Sequence, residues 1–170
     1  MKYALRLICI LLTIVFLTAC MPQPDSFTAP ADFYYLAEEI GYHVPDGVIR
    51  AEIRETSHFG GDLVVLLNAY LEGPATLDLV SPFPQGAQIS DVASSDEGLC
   101  ITVNTSFTSL SGIDLSLAAN CLAMTAREVS LEDTIILVPV EGPIGGKDRM
   151  VISTDSHTLA DDTATEYNNE

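Results

Sequence analysis

The chain has 170 residues, 24 of them acidic and 7 basic, which leaves a net charge of −17 at neutral pH. Such a surface repels nucleic acid and anionic lipid headgroups, so electrostatic binding to either is excluded. The acids are spread along the sequence, the pattern of a solvated surface rather than of an acidic binding site.

Lys2 and Arg6 flank a basic start, and Leu7 to Leu17 is almost wholly apolar. A basic start and a short apolar core form a signal-peptide pattern, and the core is shorter than the ~20 residues of a bilayer span. It ends Leu17-Thr18-Ala19-Cys20, which resembles a bacterial lipobox, the signal whose cysteine is diacylated and becomes the mature N-terminus. The expectation is a signal peptide over 1–19 and a lipid attachment site at Cys20, which makes the membrane the first partner. One acyl chain binds marginally at ~0.8 kcal/mol per buried methylene, whereas two hold durably. Without the first 19 residues, 151 of the 170 remain, and losing Lys2 and Arg6 takes the charge from −17 to −19. That length suits one domain with a real core.

Residues 21–31, MPQPDSFTAPA, contain three prolines and no apolar periodicity. With Cys20 they make a lipidated linker over 20–31, whose last 11 residues at ~3.1 Å each would span roughly 35 Å. The folded unit is expected over 32–154. DFYYLAEE (32–39) has the aromatic content of a strand. GVIRAEIRE (47–55) alternates, with Ile49, Ala51 and Ile53 on one side and Arg50, Glu52 and Arg54 on the other, which predicts a half-buried strand. The period then changes: Leu63, Leu66, Leu67, Tyr70 and Leu71 share a helical face that Gly73-Pro74 ends.

Residues 87–104 predict a hairpin about the turn-prone stretch 94–98. Ser111 with Asp114 resembles a capping box. The helix that follows puts Leu115, Ala119, Leu122, Ala126 and Val129 on an apolar face, widened by Leu117, Cys121 and Met124, with Ser116, Asn120 and Arg127 as a polar stripe. A strand is expected over 133–141, with 149–154 returning beside it across Gly145-Gly146. The polar, acidic residues 155–170 are expected to be a disordered tail that folding does not need. The order β-β-α-β-β-α-β(-β) predicts an α+β fold, a mixed or largely antiparallel sheet with two covering helices. Cys100 and Cys121 could pair in an exported domain. Strand alternation instead gives the core face to Leu99, Ile101 and Val103 and predicts two separate thiols.

No catalytic constellation is found. There is no G-x-S-x-G or S-x-x-K, and His43, His58 and His157 have no partner at metal-ligand spacing. No cofactor or metal site is expected. EGPIGGKDR (141–149) lacks the spacing of a phosphate-binding loop and fits a tight hairpin turn better.

The stretches NAYLEGP (68–74), SPFPQGAQISDVASSDEGLCITVN (81–104), LSLAANCLAMTA (115–126) and DTIILVPVEG (133–142) together resemble a GerMN domain, the sporulation and spore-germination domain of bacterial lipoproteins. Leu71-Glu72-Gly73-Pro74, Pro84-Gln85-Gly86, Gly98 and Gly142 carry the pattern, over about residues 32–145. The chain departs from it at Val103-Asn104-Thr105-Ser106, where the family has V-D-x-S, and at Val129-Ser130-Leu131-Glu132, where it has x-P-G-V. The resemblance implies a non-catalytic binding or scaffolding module on the extracytoplasmic face of the cell membrane, with an envelope protein or cell-wall partner, in sporulation or germination. The alternative is an envelope hydrolase acting on peptidoglycan or polysaccharide. The crossover 73–86 is a candidate partner surface through Leu77, Leu79, Val80 and Phe83, although packing of those side chains onto the sheet competes with that role.

Overall fold

The computed structural model describes residues 30–38 and 48–153. The signal, Cys20, most of the linker, His43, His157 and the acidic tail lie outside them.

The chain runs β1 (Ala31–Ala37), β2 (Ile49–Arg54), a single 3-10 turn, α1 (Leu63–Leu71), β3 (Leu79–Val80), β4 (Ile89–Ser95), β5 (Gly98–Val103), the short α2 (Thr105–Thr108), α3 (Gly112–Ser130), β6 (Thr134–Pro139) and β7 (Met150–Ser153). The α+β class is as expected, and the strands divide between two sheets. One is three-stranded and antiparallel, in the order β2-β1-β3; the other is four-stranded and mixed, in the order β4-β5-β6-β7. Within the second sheet β5 and β6 run parallel, as the long crossover through α3 requires. Hairpins join β4 to β5 and β6 to β7.

Local sequence explains the boundaries. Asp62 caps α1, its carboxylate accepting from the backbone N–H groups of Val64 and Val65 at 2.9 and 3.1 Å. Ser111 occupies the corresponding place before α3, but its side chain makes no capping bond, so the capping box is present in sequence only. The turn after β6 is closed by reciprocal Ile144 and Lys147 backbone bonds of 2.8 and 3.0 Å. Gly145 and Gly146 between them take φ of 56° and 78°, which side chains other than glycine rarely adopt.

Tyr70 sits at the centre of the core, its ring 5.6 Å from Phe33, 4.9 Å from Tyr35 and 5.1 Å from Phe83. Side chains on the helices also complete the strands. The Tyr34 N–H donates to the Thr125 hydroxyl of α3 at 3.0 Å, and the Tyr70 hydroxyl of α1 donates to the Tyr34 carbonyl. Beside the register shift between Ile89 and Asp91, Asn68 accepts from the Ile89 N–H at 3.0 Å and donates to the Ile89 carbonyl at 2.8 Å. Asn68 thus does for β4 what a neighbouring strand would do.

Leu99, Ile101 and Val103 are buried, and Cys100 lies on the opposite face of β5. Cys121 is fully buried on α3, where loss of solvent pushes its thiol pKa up to about 12. Both cysteines are free. Titration of unfolded protein, trapped without reductant, should find Cys100 and Cys121 both reactive, and in native protein Cys121 should resist modification. Loss of both signals in the unfolded protein would require a disulfide.

Candidate partner surface

The alternation in β2 is present, but the buried half is the charged one. Glu52 is 8% exposed, whereas Ile53 on the other side is 73% exposed and Ala51 is exposed too. The reason lies in the neighbours. Register pairs Glu52 with Phe33 and Arg50 with Tyr35, both wholly buried, so these charged side chains share the inner face with aromatic rings.

Arg54 lies over those rings, its guanidinium carbon 5.3 Å from the Phe33 centroid and 5.4 Å from that of Tyr35. It donates to the Gly73 carbonyl at 2.7 Å and to the Glu52 carboxylate. Glu52 also accepts from the backbone N–H groups of Ala75 and Thr76 at 3.0 and 2.7 Å. Burial raises the Glu52 pKa, but the Thr76 side chain, Arg54 and the two backbone donors outweigh it and bring the carboxyl down to about 2. A single ion pair therefore clamps the start of the crossover loop onto the inner face of the sheet.

The consequence is an apolar outer face. Register places Ile49, Leu36 and Val80 in one row across all three strands, with Ala51 beside Tyr34 in the next row and Ile53 beside Asp32 beyond it. Ile49 and Leu36 are half-buried and Val80 is 39% exposed. Leu36, Ile49 and Tyr34 pack in part against the core, and the Tyr34 hydroxyl donates to Glu128 of α3 at 3.4 Å, so the large apolar side chains most exposed on this side are Ile53 and Val80.

The four crossover residues expected on one ridge are not together. Leu79 and Phe83 pack into the core, Phe83 against Tyr70 and Phe107, while Leu77 (93% exposed) and Val80 face outward. Leu79 and Val80 are successive strand residues and must point to opposite sides. The residues missed in sequence, Leu36, Ile49 and Ile53, come from strands whose outer face could be recognised only once the partners of Glu52 and Arg54 were known.

The remaining chemistry-bearing residues stay apart. His58 is exposed with its ring against Phe59, and no group of three or more His, Cys, Asp and Glu suited to a metal occurs among the described residues. No helix among those residues is long and apolar enough to cross a membrane.

No family model matches the sequence, and no curated protein matches it. The structure is similar to the tandem GerMN domains of the sporulation protein GerM from Bacillus subtilis, with a TM-score of 0.50 and 20% identity over 79% of this chain and 48% of that one. The chain thus spans about half the length of that tandem protein. A Clostridium perfringens chain described as a lipoprotein gives a TM-score of 0.45 at 12% identity, over 77% of this chain and 92% of that one. The domain has a GerMN-like α+β fold.

Proposed function

We propose that this chain is an extracytoplasmic lipoprotein, held at the membrane by lipid on Cys20, whose GerMN-like domain binds an envelope protein without catalysing a reaction. The setting is sporulation or germination, a reading supported by the fold it shares with a sporulation protein's domains. The observation that carries the binding role is the reversal of β2, which turns Glu52 inward and leaves Ala51 and Ile53 exposed outside. The docking face is that outer surface of the three-stranded sheet, with Leu77 beside it in sequence.

Photo-crosslinking amino acids at Ile53 and Leu77 should trap a discrete adduct in living cells, and one at Asp91, exposed on the other sheet, should not. Equal trapping at all three positions would remove this face as the docking surface. Cys20→Ser should release the protein from the membrane fraction or leave an uncleaved precursor. A mature form that still fractionates wholly with membrane would disprove the lipid anchor.

A further inference from the structure

Each sheet has two outer strands, and three of these four edges are protected against pairing with another chain. β3 is only two residues long, and β2 carries Arg50, Glu52 and Arg54. β4 is interrupted by the register shift between Ile89 and Asp91, and Asn68 holds the backbone of Ile89. Short length, charge and irregularity are the devices that keep sheet edges apart. β7 has no charge, proline or bulge in Met150–Ser153. It pairs with β6 on one side, and among the described residues no strand pairs with the other.

This edge is also held in place. Arg127 of α3 donates to the Ile152 carbonyl and to the Asp133 carbonyl, both at 3.0 Å, which ties the end of β7 to the approach of β6. Val151, on the face away from α3, is 47% exposed. Met150 and Ile152 take the opposite face and, with Leu115 and Ala119, line a cleft of about 840 Å³ beside the edge.

Charge is unevenly distributed about the strand. Lys147 and Arg149 precede it, two of only five basic residues beyond position 19. Asp148 lies between them, and Arg149 donates to Glu97 at 2.6 Å, so the start of β7 is basic by a small margin. The sequence after β7 opens with Asp155 and contains no Lys or Arg. Two such strands laid parallel would set like charges together. Laid antiparallel, they set the basic start of each against the acidic continuation of the other. Antiparallel pairing about Val151 also matches side chains by type: Val151 meets Val151 on one face, and Met150 meets Ile152 on the other, which joins the two cleft floors. The partner that fits this edge in charge and side-chain pattern is therefore a second copy of the chain.

We propose that two copies of this domain pair antiparallel along β7, about a two-fold axis at Val151, and extend the four-stranded sheet across both. β7 belongs to the other sheet from the docking face, so the two surfaces are independent. The contact is weak in dilute solution, because the net charge of −17 opposes it and so few residue pairs fall short of the ~1,000 Å² of a stable interface.

The test is cysteine cross-linking of the full chain in intact cells treated with diamide, in a Cys100→Ser background. Val151→Cys should give a disulfide-linked dimer, roughly tenfold more than Ile113→Cys, because directly opposed Cβ atoms lie about 5 Å apart. Ile113 is the control because it is 69% exposed but lies on α3. Arg149→Cys and Ser153→Cys should each fail alone, since each lies about 14 Å from its own copy, and should cross-link when co-expressed. Adding Val151→Lys to both members of that pair should cut the product several-fold, as like charges then face each other. Equal yields from Val151→Cys and Ile113→Cys, equal yields from the single and co-expressed variants, or no effect of Val151→Lys would mean chance encounters only and overturn the proposal. So would an adduct of Val151→Cys with a protein of another mass, which would assign the edge to a different partner.

Discussion

Replacing Glu52 by glutamine should lower the stability of the domain by about 2–3 kcal/mol, a loss on the order of 10 °C in melting temperature for a domain of this size. The substitution leaves the shape intact but removes the charge that Arg54 and two backbone N–H groups are aimed at. Arg54, held over Phe33 and Tyr35, then loses its anionic partner. The pH dependence has a definite sign. The Glu52 carboxyl is held at about 2 in the folded state, against a reference value of 4.5. Its contribution is fully present above about pH 4.5 and drains away as the pH falls towards 2, because the unfolded chain takes up the proton first. Urea denaturation of both proteins should therefore show a gap that is largest at pH 7 and shrinks at pH 3. A gap that stays constant across that range would mean the carboxylate's charge is not what holds the loop.

Gly98→Ala should be at least as damaging, at about 3–5 kcal/mol. Gly98 opens β5 with φ of 131°, and a Cβ placed there would lie 2.3 Å from the Thr134 carbonyl oxygen and 2.9 Å from the Thr134 Cβ. Two costs combine. The backbone conformation is one that alanine resists, and the obstructing atom is main chain at the start of β6, where the parallel pairing begins. Relief would need β5 and β6 to separate at the centre of the four-stranded sheet. Gly142→Ala is the control: its φ is 72° but nothing lies within 4 Å, so only the conformational cost of about 1 kcal/mol remains. Equal melting temperatures for the two variants would show that the close approach of Thr134 is unimportant.

Much of the fold is legible in the sequence because its signals are local. The hairpin over 87–104 announces itself by two β-rich runs about a turn, and α3 by apolar spacing continued over 19 residues. The division into two sheets is not local, since period-2 patterns carry no information about which strands pair or in which direction. The inside-out orientation of β2 was hidden for a related reason. A charged face goes inward only if its partners wait there, and those partners are Phe33, Tyr35 and the backbone at 73–76, about twenty residues away on either side. The candidate surface was accordingly half visible. Leu77 and Val80 could be picked out by their apolar character, while the pairing of Val80 with Leu36, and of Leu36 with Ile49, exists only in three dimensions. The departure at Asn104 also acquires a physical role. Its amide donates to the Gly86 carbonyl at 2.8 Å, and its oxygen accepts from the Gln88 N–H at 3.1 Å. An aspartate could keep the second contact but could not donate the first.

The central position of β1 has a mechanical consequence. Residue 30 leads directly into Ala31, so any force transmitted from the N-terminal side enters the fold at the middle strand of its sheet. Such a pull runs along β1, with β2 on one flank and, on the other, β3 together with the Thr125 and Tyr70 side-chain bonds to Tyr34. Those bonds lie across the direction of pull and share the load, instead of opening one after another as they would if an edge strand were peeled away. Under tension the domain should yield late and abruptly.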